Sequence, residues 1–333
     1  MSGERAFVTG ATGVTGGRLC EVLVARGRKV TALVRETARR KERAVALERL
    51  GVELVTGDLR DAGSWAGALA GADVVYHIAA AFREARLSDR DYTEVNVHGT
   101  RHVIEAAAAA GVRRVVHCST VGVHGDTGRT PANEDTPFSP PDFYCQSKLE
   151  GELLARELFA KLGLEGVVFR PVGIYGASDD RFLKLFRGVA RGRFVMIGSG
   201  DILYHLTFID DLCDGIQLCG EKPEASGGVF ILGGEEYVTL NQLVDEVARA
   251  TGGRRFPFRV PMAPVMAAAT LCEKVCRPLG IEPPLYPRRV EFFSKHRAFD
   301  ISRAKRVLGY QPKVPLRDGL ARTAAGYREQ GLL

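Results

Sequence analysis

An α/β fold class, with a doubly wound parallel sheet and a smaller C-terminal α/β lid, follows from three features of the 333-residue sequence. Six short apolar runs alternate with longer helical stretches through the first half. The runs are continuously apolar rather than alternating, as strands buried on both faces require. The first of them leads directly into Thr9-Gly10-Ala11-Thr12-Gly13-Val14-Thr15-Gly16, a glycine pattern placed between a strand and a helix.

In chain order, the strands are expected at 6–9, 30–34, 52–55, 74–77, 115–118 and 167–169. Helices are expected between them at 13–26, 37–50, 64–70, 91–110 and 143–162. This rhythm marks residues 1–176 as a dinucleotide-binding domain. After Gly176 it changes, and 177–333 is read as a substrate-binding region. That region has a basic stretch at 181–193, short strands at 206–209 and 229–232, and a helix at 240–251. Part of 204–232 is expected to return to the sheet. A further strand, a proline-marked packing helix over 260–275 and a terminal helix complete a lid over the carboxyl ends of the strands, with a cleft between lid and sheet.

Composition narrows the function classes. With 45% hydrophobic and 26% charged residues the chain reads as globular. No run approaches the roughly 18 apolar residues of an integral membrane span, and no basic stretch precedes an N-terminal apolar one, so a cytoplasmic protein without a secretory signal is expected. The seven cysteines form no CxxC pair, which argues for reduced thiols and for no metal site; Cys272 and Cys276 share a helical face and are read as packing. A net charge of +6 without a basic tract favours an anionic small molecule over nucleic acid.

Gly10, Gly13 and Gly16 put backbone amides and a helix N-terminus where they can hold a pyrophosphate, with Thr12 and Val14 in the same turn. The second strand ends Leu33-Val34-Arg35. An acidic residue there would bind a ribose 2'-hydroxyl; Arg35 instead suits a 2'-phosphate, so NADP(H) is favoured and NAD(H) remains possible, with Arg39 and Arg40 in weak support. Asp58, in Gly57-Asp58-Leu59, is placed to accept from an adenine amino group or to hold a helix cap or turn, and Ala79 and Ala80 are small enough for a dinucleotide to pass. His77 is read as a structural histidine.

Tyr144 and Lys148 stand at i and i+4 on one helix face, so the ammonium can favour phenolate and tune the phenol for proton exchange with an alcohol or carbonyl. With TGATGVTG, GDL and YCQSK in order, followed by RPVGIYG at 170–176 and DISRAKRVLGYQP at 300–312, the chain resembles the extended short-chain dehydrogenase/reductase family over nearly its whole length. The resemblance implies a Rossmann-like fold with Tyr144 as acid/base. Lys148 would hold the nicotinamide ribose, and a hydroxyl residue would orient the substrate. By its spacing from Gly125 that residue is Thr120, with Ser119 adjacent. The resemblance also implies that Asn96 supports the cofactor site, a surface or capping role being the alternative, that Pro171, Gly173 and Ile174 line the nicotinamide carboxamide, and that the chain forms a homodimer through its two long helices.

Two net outcomes remain open: redox of a hydroxyl/ketone couple, or epimerisation or dehydration of a nucleotide sugar. Where nucleotide-sugar members place a diphosphate-clamping arginine, this chain has Tyr204, itself a candidate substrate contact, which is more similar to the 3-beta-hydroxysteroid dehydrogenase and 4-ketoreductase branches. Arg181, Lys184, Arg187 and Arg191 offer a basic face to a phosphate, or form a solvated amphipathic helix. Phe256, Phe258, Met262, Met266, Phe292 and Phe293 are candidates for an apolar pocket or for core. The favoured reading is a steroid-, terpenoid- or lipid-like small-molecule substrate. A dinucleotide-sensing regulator is the lesser alternative, opposed by the joint presence of Thr120, Tyr144 and Lys148.

Overall fold

The computed structural model describes residues 4–39, 41–82, 87–276, 278, 281 and 283–333. Its strands are β1 (Arg5–Thr9), β2 (Lys29–Val34), β3 (Glu53–Thr56), β4 (Val74–His77), β5 (Arg114–Cys118), β6 (Glu165–Pro171), β7 (Gly173–Tyr175), β8 (Met196–Ile197), β9 (Leu203–Phe208), β10 (Val229–Leu232), β11 (Tyr237–Thr239) and β12 (Arg259–Val260). Among the described residues the main sheet has seven strands in the order β10-β6-β5-β4-β1-β2-β3. Every neighbouring pair is parallel. The chain winds outward from β1 to β3 and then crosses back to β4, so the order reverses between β1 and β4. That switch point opens a crevice at the carboxyl ends of the strands, which is where the glycine turn lies.

Alternation along each strand divides the core between the two faces. Phe7, Val75 and Val115 face one way and pack with Val103, Ile104, Leu158 and Phe159 from the helices Gly99–Ala109 and Phe143–Leu162. Val8, Tyr76 and Val116 face the other way, against Leu19, Leu212 and Ile216 from the helices Val14–Ala25 and Ile209–Glu221. Two helical layers thus cover one sheet, and each large apolar side chain so buried contributes roughly 1.5–3 kcal/mol.

Several expected elements are reshaped by tertiary contacts. The helix at 37–50 is two helices, Glu36–Arg39 and Glu42–Arg49, because Lys41 takes an extended conformation and caps the second. The helix at 64–70 is a pair of 3₁₀ turns around Trp65, whose buried ring stacks on Phe7 and whose indole N–H donates to the Asp58 carbonyl at 2.8 Å. The helix at 91–110 begins at Asp89, behind a Ser88/Asp91 capping box, and contains a π-helical turn over Glu94–His98. The strand at 206–209 runs from Leu203 to Phe208 instead, and Ile209 opens a helix whose Asp211 accepts the N–H groups of Lys313 and Val314 at 2.9 and 3.0 Å.

Strand β10 pairs with β6 at the edge of the main sheet. β9 joins β7 and β11 in a separate three-stranded sheet, while β8 pairs with β12. The helix Met262–Cys276 departs from the packing role expected of it. Ala269 is its buried residue, Leu271 and Val275 are 64% and 53% exposed, and Cys272 and Cys276 are only half-buried, their sulfurs 3.9 Å apart. No described helix is long and apolar enough to cross a membrane, and no described cluster of His, Cys, Asp or Glu is arranged to hold a metal.

Candidate active site

The glycine turn is built for a close backbone approach. Gly10 has φ +78, and a Cβ there would lie 2.7 Å from the Ala79 nitrogen. A Cβ on Gly16 would lie 2.3 Å from the Gly10 carbonyl oxygen, so helix and turn can pack only with hydrogen at that position. Gly13 caps the helix Val14–Ala25 without a side-chain acceptor, and the first turn carries no acid. The opening amides and the positive end of the dipole are therefore left for an anion. These features fit a dinucleotide pyrophosphate.

Thr9, which sequence reasoning passed over, ties this turn to the loop after β4. Its fully buried Oγ1 accepts from the Ala79 N–H at 3.1 Å and is bonded to His77 Nδ1 at 2.8 Å. His77 Nε2 reaches Thr100 Oγ1 at 3.1 Å, and burial, with a smaller contribution from Lys148, pushes its pKa down to about 3. Asn96 does not line the cleft. It is buried, and its amide clamps Ala81, accepting from the N–H at 2.8 Å and donating to the C=O at 3.2 Å. Its Nδ2 also donates to Ser147 Oγ at 2.9 Å. The π-helical turn and the bare Gly151, where a Cβ would lie 2.2 Å from the Asn96 carbonyl, bring these helices that close.

On the adenosine side, Arg35 is exposed just beyond β2. Arg39 is committed elsewhere, donating to the Leu54 carbonyl at 2.8 Å and to Glu48 at 2.9 Å, so it lends no support to a 2'-phosphate. Arg40 lies outside the described residues. The Asp58 carboxylate accepts from Arg60 through its backbone N–H, Nε and Nη2 at 2.9, 2.9 and 2.7 Å, bonds that hold its pKa below the usual carboxylate range. Asp58 is therefore already paired, and Leu59 beside it is buried. Ala80, Gly173 and Ile174 are half-buried and Pro171 is buried.

Lys148 reaches the end of β5 two residues before Thr120, and Tyr144 stands one helical turn before Lys148. The helix Phe143–Leu162 is capped by Asp142, whose side chain accepts the Cys145 N–H at 2.8 Å, and this sets Tyr144 in the first turn. Lys148 is buried, and Nζ donates to the Cys118 carbonyl at 2.6 Å. Desolvation lowers its pKa, against the opposing pull of Cys118 and Glu152. Thr120 Oγ1 accepts the Gly122 N–H at 3.1 Å, leaving its own proton free to donate. Gly122 packs so tightly on the first turn of this helix that a Cβ would lie 2.8 Å from Cys145 Sγ. Ser119 is buried, with no hydrogen-bond partner for Oγ among the described residues.

Tyr204 does not face the cleft. It is buried, its hydroxyl donating to the Phe292 carbonyl and accepting from Arg297 Nη1 at 2.9 Å, so it braces the lid. Arg181 pairs with Asp179 and lies over Phe82, whose ring meets Tyr144 edge-on. Phe82 was not foreseen as a site residue.

Residues 6–233 match the NAD dependent epimerase/dehydratase family. The chain belongs to that family. Relatives in it are named as dehydrogenases, reductases and an epimerase, and this chain has the Rossmann-like sheet of its solved neighbours. Among its relatives in the family, 3beta-hydroxysteroid-dehydrogenase/decarboxylase isoform 1 of Arabidopsis thaliana is 32% identical, over 82% of this chain and 66% of the plant protein. This chain spans about half the length of isoform 2, at 51%. The 2-alkyl-3-oxoalkanoate reductase of Shewanella oneidensis is 31% identical over 97% of this chain and 86% of its own. Among solved structures, the dTDP-glucose 4,6-dehydratase DesIV of Streptomyces venezuelae, with NAD bound, superposes with a TM-score of 0.78 at 26% identity, covering 98% and 97% of the two chains. What the chain is similar to thus includes proteins named as a hydroxysteroid dehydrogenase/decarboxylase and an oxoalkanoate reductase and one named as a nucleotide-sugar dehydratase.

Proposed function

We propose that this family member is an NAD(P)(H)-dependent oxidoreductase, favouring NADP(H), that interconverts a hydroxyl and a ketone on a hydrophobic substrate. The observation that carries the reading is that Lys148 Nζ donates to the Cys118 carbonyl at the carboxyl end of β5, two residues before Thr120 and one helical turn after Tyr144, on the same sheet as the glycine cradle. The first-turn amides after Gly13 would hold the pyrophosphate, and Arg35 the 2'-phosphate. When bound, the nicotinamide supplies or takes up a hydride. Tyr144 moves the proton on the substrate oxygen, Thr120 donates a hydrogen bond to that oxygen, and Lys148 keeps a positive charge behind the phenol. In the oxidising direction an alcohol loses one hydride and one proton and becomes a ketone.

Tyr144→Phe tests this. Turnover is expected to fall about 10²–10⁴-fold while NADPH binding, followed by fluorescence, is kept. Near-normal turnover would refute the role.

A nucleotide-sugar epimerase or dehydratase is the second reading. It is favoured by Lys295 and Arg297 in the wall of the recess beside Gly122 and Cys145, a wall that also carries Asp142 and Glu291, the latter paired with Lys295 at 3.0 Å. Such an enzyme would keep its nucleotide through purification and give no net change in cofactor absorbance. Against it, the position of the family's diphosphate-clamping arginine holds a tyrosine committed to the lid backbone.

A further inference from the structure

Arg181 stands outside the cofactor cradle and outside the Thr120, Tyr144 and Lys148 set, yet it meets the same aromatic ring as Tyr144. The Phe82 ring meets the Tyr144 ring edge-on, with centroids 5.1 Å apart at 87°. The Arg181 guanidinium carbon lies 5.5 Å from the centre of that same Phe82 ring. One aromatic ring therefore links the reacting phenol to a cation. Desolvation works to lower the ionisation of Arg181; Asp179 and, more weakly, Tyr144 outweigh it and raise it.

The guanidinium is held along one edge. Asp179 is 1% exposed, and its carboxylate accepts from the Arg181 backbone N–H at 3.0 Å, from Nε at 2.8 Å and from Nη2. Asp179 is anchored in turn, its carbonyl accepting the Tyr327 hydroxyl and its N–H donating to the Gly176 carbonyl at 3.0 Å. Arg181 cannot swing away without leaving a buried carboxylate unpaired. The other edge, formed by Nη1 and the second N–H of Nη2, has no protein acceptor among the described residues, and 39% of the side chain is open to solvent. A guanidinium paired side-on in this way still offers an end-on pair of donors, whose spacing matches the two oxygens of a carboxylate.

Arg187, on the same basic stretch, faces elsewhere, with Nε donating to the Leu332 carbonyl at 2.7 Å. A single pre-oriented fork suits a monoanion with two coplanar oxygens better than a diphosphate. Because Asp179 balances the charge of Arg181, attraction would come from directional hydrogen bonds at short range rather than from a long-range field.

We propose that Arg181 is a specificity-determining residue that receives the carboxylate of a hydroxy acid or oxo acid whose reacting carbon lies against Tyr144. The inference rests on the redox reading above and narrows its substrate class to hydrophobic molecules carrying an acid close to the alcohol or ketone. The carboxylate is bound and oriented but not consumed. Two relatives bear names that fit this class, a 2-alkyl-3-oxoalkanoate reductase naming an oxo acid and a 3beta-hydroxysteroid-dehydrogenase/decarboxylase naming the loss of a carboxyl group beside a hydroxysteroid oxidation.

The experiment compares oxidation of a long-chain 3-hydroxy acid and of its methyl ester with NADP⁺, by absorbance, in wild type, Arg181→Met and Arg181→Lys. NADPH binding by fluorescence controls for folding. The wild type is expected to prefer the acid about 100-fold in kcat/KM, mainly through KM. Arg181→Met should collapse that ratio to within about threefold, and Arg181→Lys should leave an intermediate value. A ratio that survives in Arg181→Met, or a wild type that does not distinguish acid from ester, overturns the assignment while the redox reading stands. Failure of the wild type to oxidise either compound overturns both.

Discussion

Asn96→Ala isolates what the buried amide contributes. In the native protein Oδ1 accepts the Ala81 N–H at 2.8 Å, Nδ2 donates to the Ala81 carbonyl at 3.2 Å, and Nδ2 also donates to Ser147 Oγ at 2.9 Å. Alanine removes all three bonds and strands two backbone groups in a site that is 1% exposed. Each orphaned buried group costs about 1–3 kcal/mol, and a water entering the small polar gap would recover part of this, so a net loss of about 3 kcal/mol is expected. For 333 residues the unfolding entropy near 60 °C is about 0.7 kcal/mol/K, which converts the loss into a fall in Tm of about 4 °C. Differential scanning fluorimetry reads it directly. Because Ala81 continues the loop that carries Ala79 and Ala80 past the glycine turn, the KM for cofactor should rise more than kcat falls. A variant that melts within 1 °C of wild type with an unchanged cofactor KM would refute the reasoning.

Arg35→Ala should raise the KM for NADPH about tenfold or more while barely altering that for NADH, since only the former has a 2'-phosphate to lose; equal effects on both would remove Arg35 from that role. Gly16→Ala places a Cβ 2.3 Å from the Gly10 carbonyl oxygen, so the turn must open. NADPH affinity by fluorescence titration should fall at least about tenfold, and unchanged affinity would contradict the close approach. His77 is neutral in the native protein down to about pH 3, whereas in the unfolded chain it takes up a proton below pH 6.5. Its contribution to stability is therefore complete above pH 6.5 and is lost as pH falls toward 3, by about 2 kcal/mol at pH 5. Thermal melts from pH 7 to pH 5 should show this slope added to those of His117, His124 and His205, which burial also shifts down, and His77→Gln, which keeps polar atoms toward Thr9 and Thr100, should make the total shallower; an identical slope in the variant would assign the effect elsewhere.

Local interactions made much of the molecule readable before any coordinates. Doubly buried strands must be continuously apolar, so β1 to β6 declare themselves within a few residues each. The turn at Gly10, Gly13 and Gly16 and the pair Tyr144 and Lys148 are likewise set by backbone conformation and helical spacing. Longer-range features were invisible for a common reason: they depend on which segments the reversal of strand order sets side by side. Thr9 reaches Ala79 across 70 residues, and Asn96 grips Ala81 from a π-helical turn whose period no apolar pattern announced. Arg39 looked available for phosphate until β3 presented the Leu54 carbonyl to it. Tyr204 looked like a substrate contact until the lid presented the Phe292 carbonyl. Side-chain polarity states what a residue is able to bind. The packed chain chooses the partner, because a buried donor takes the nearest acceptor that folding puts within reach.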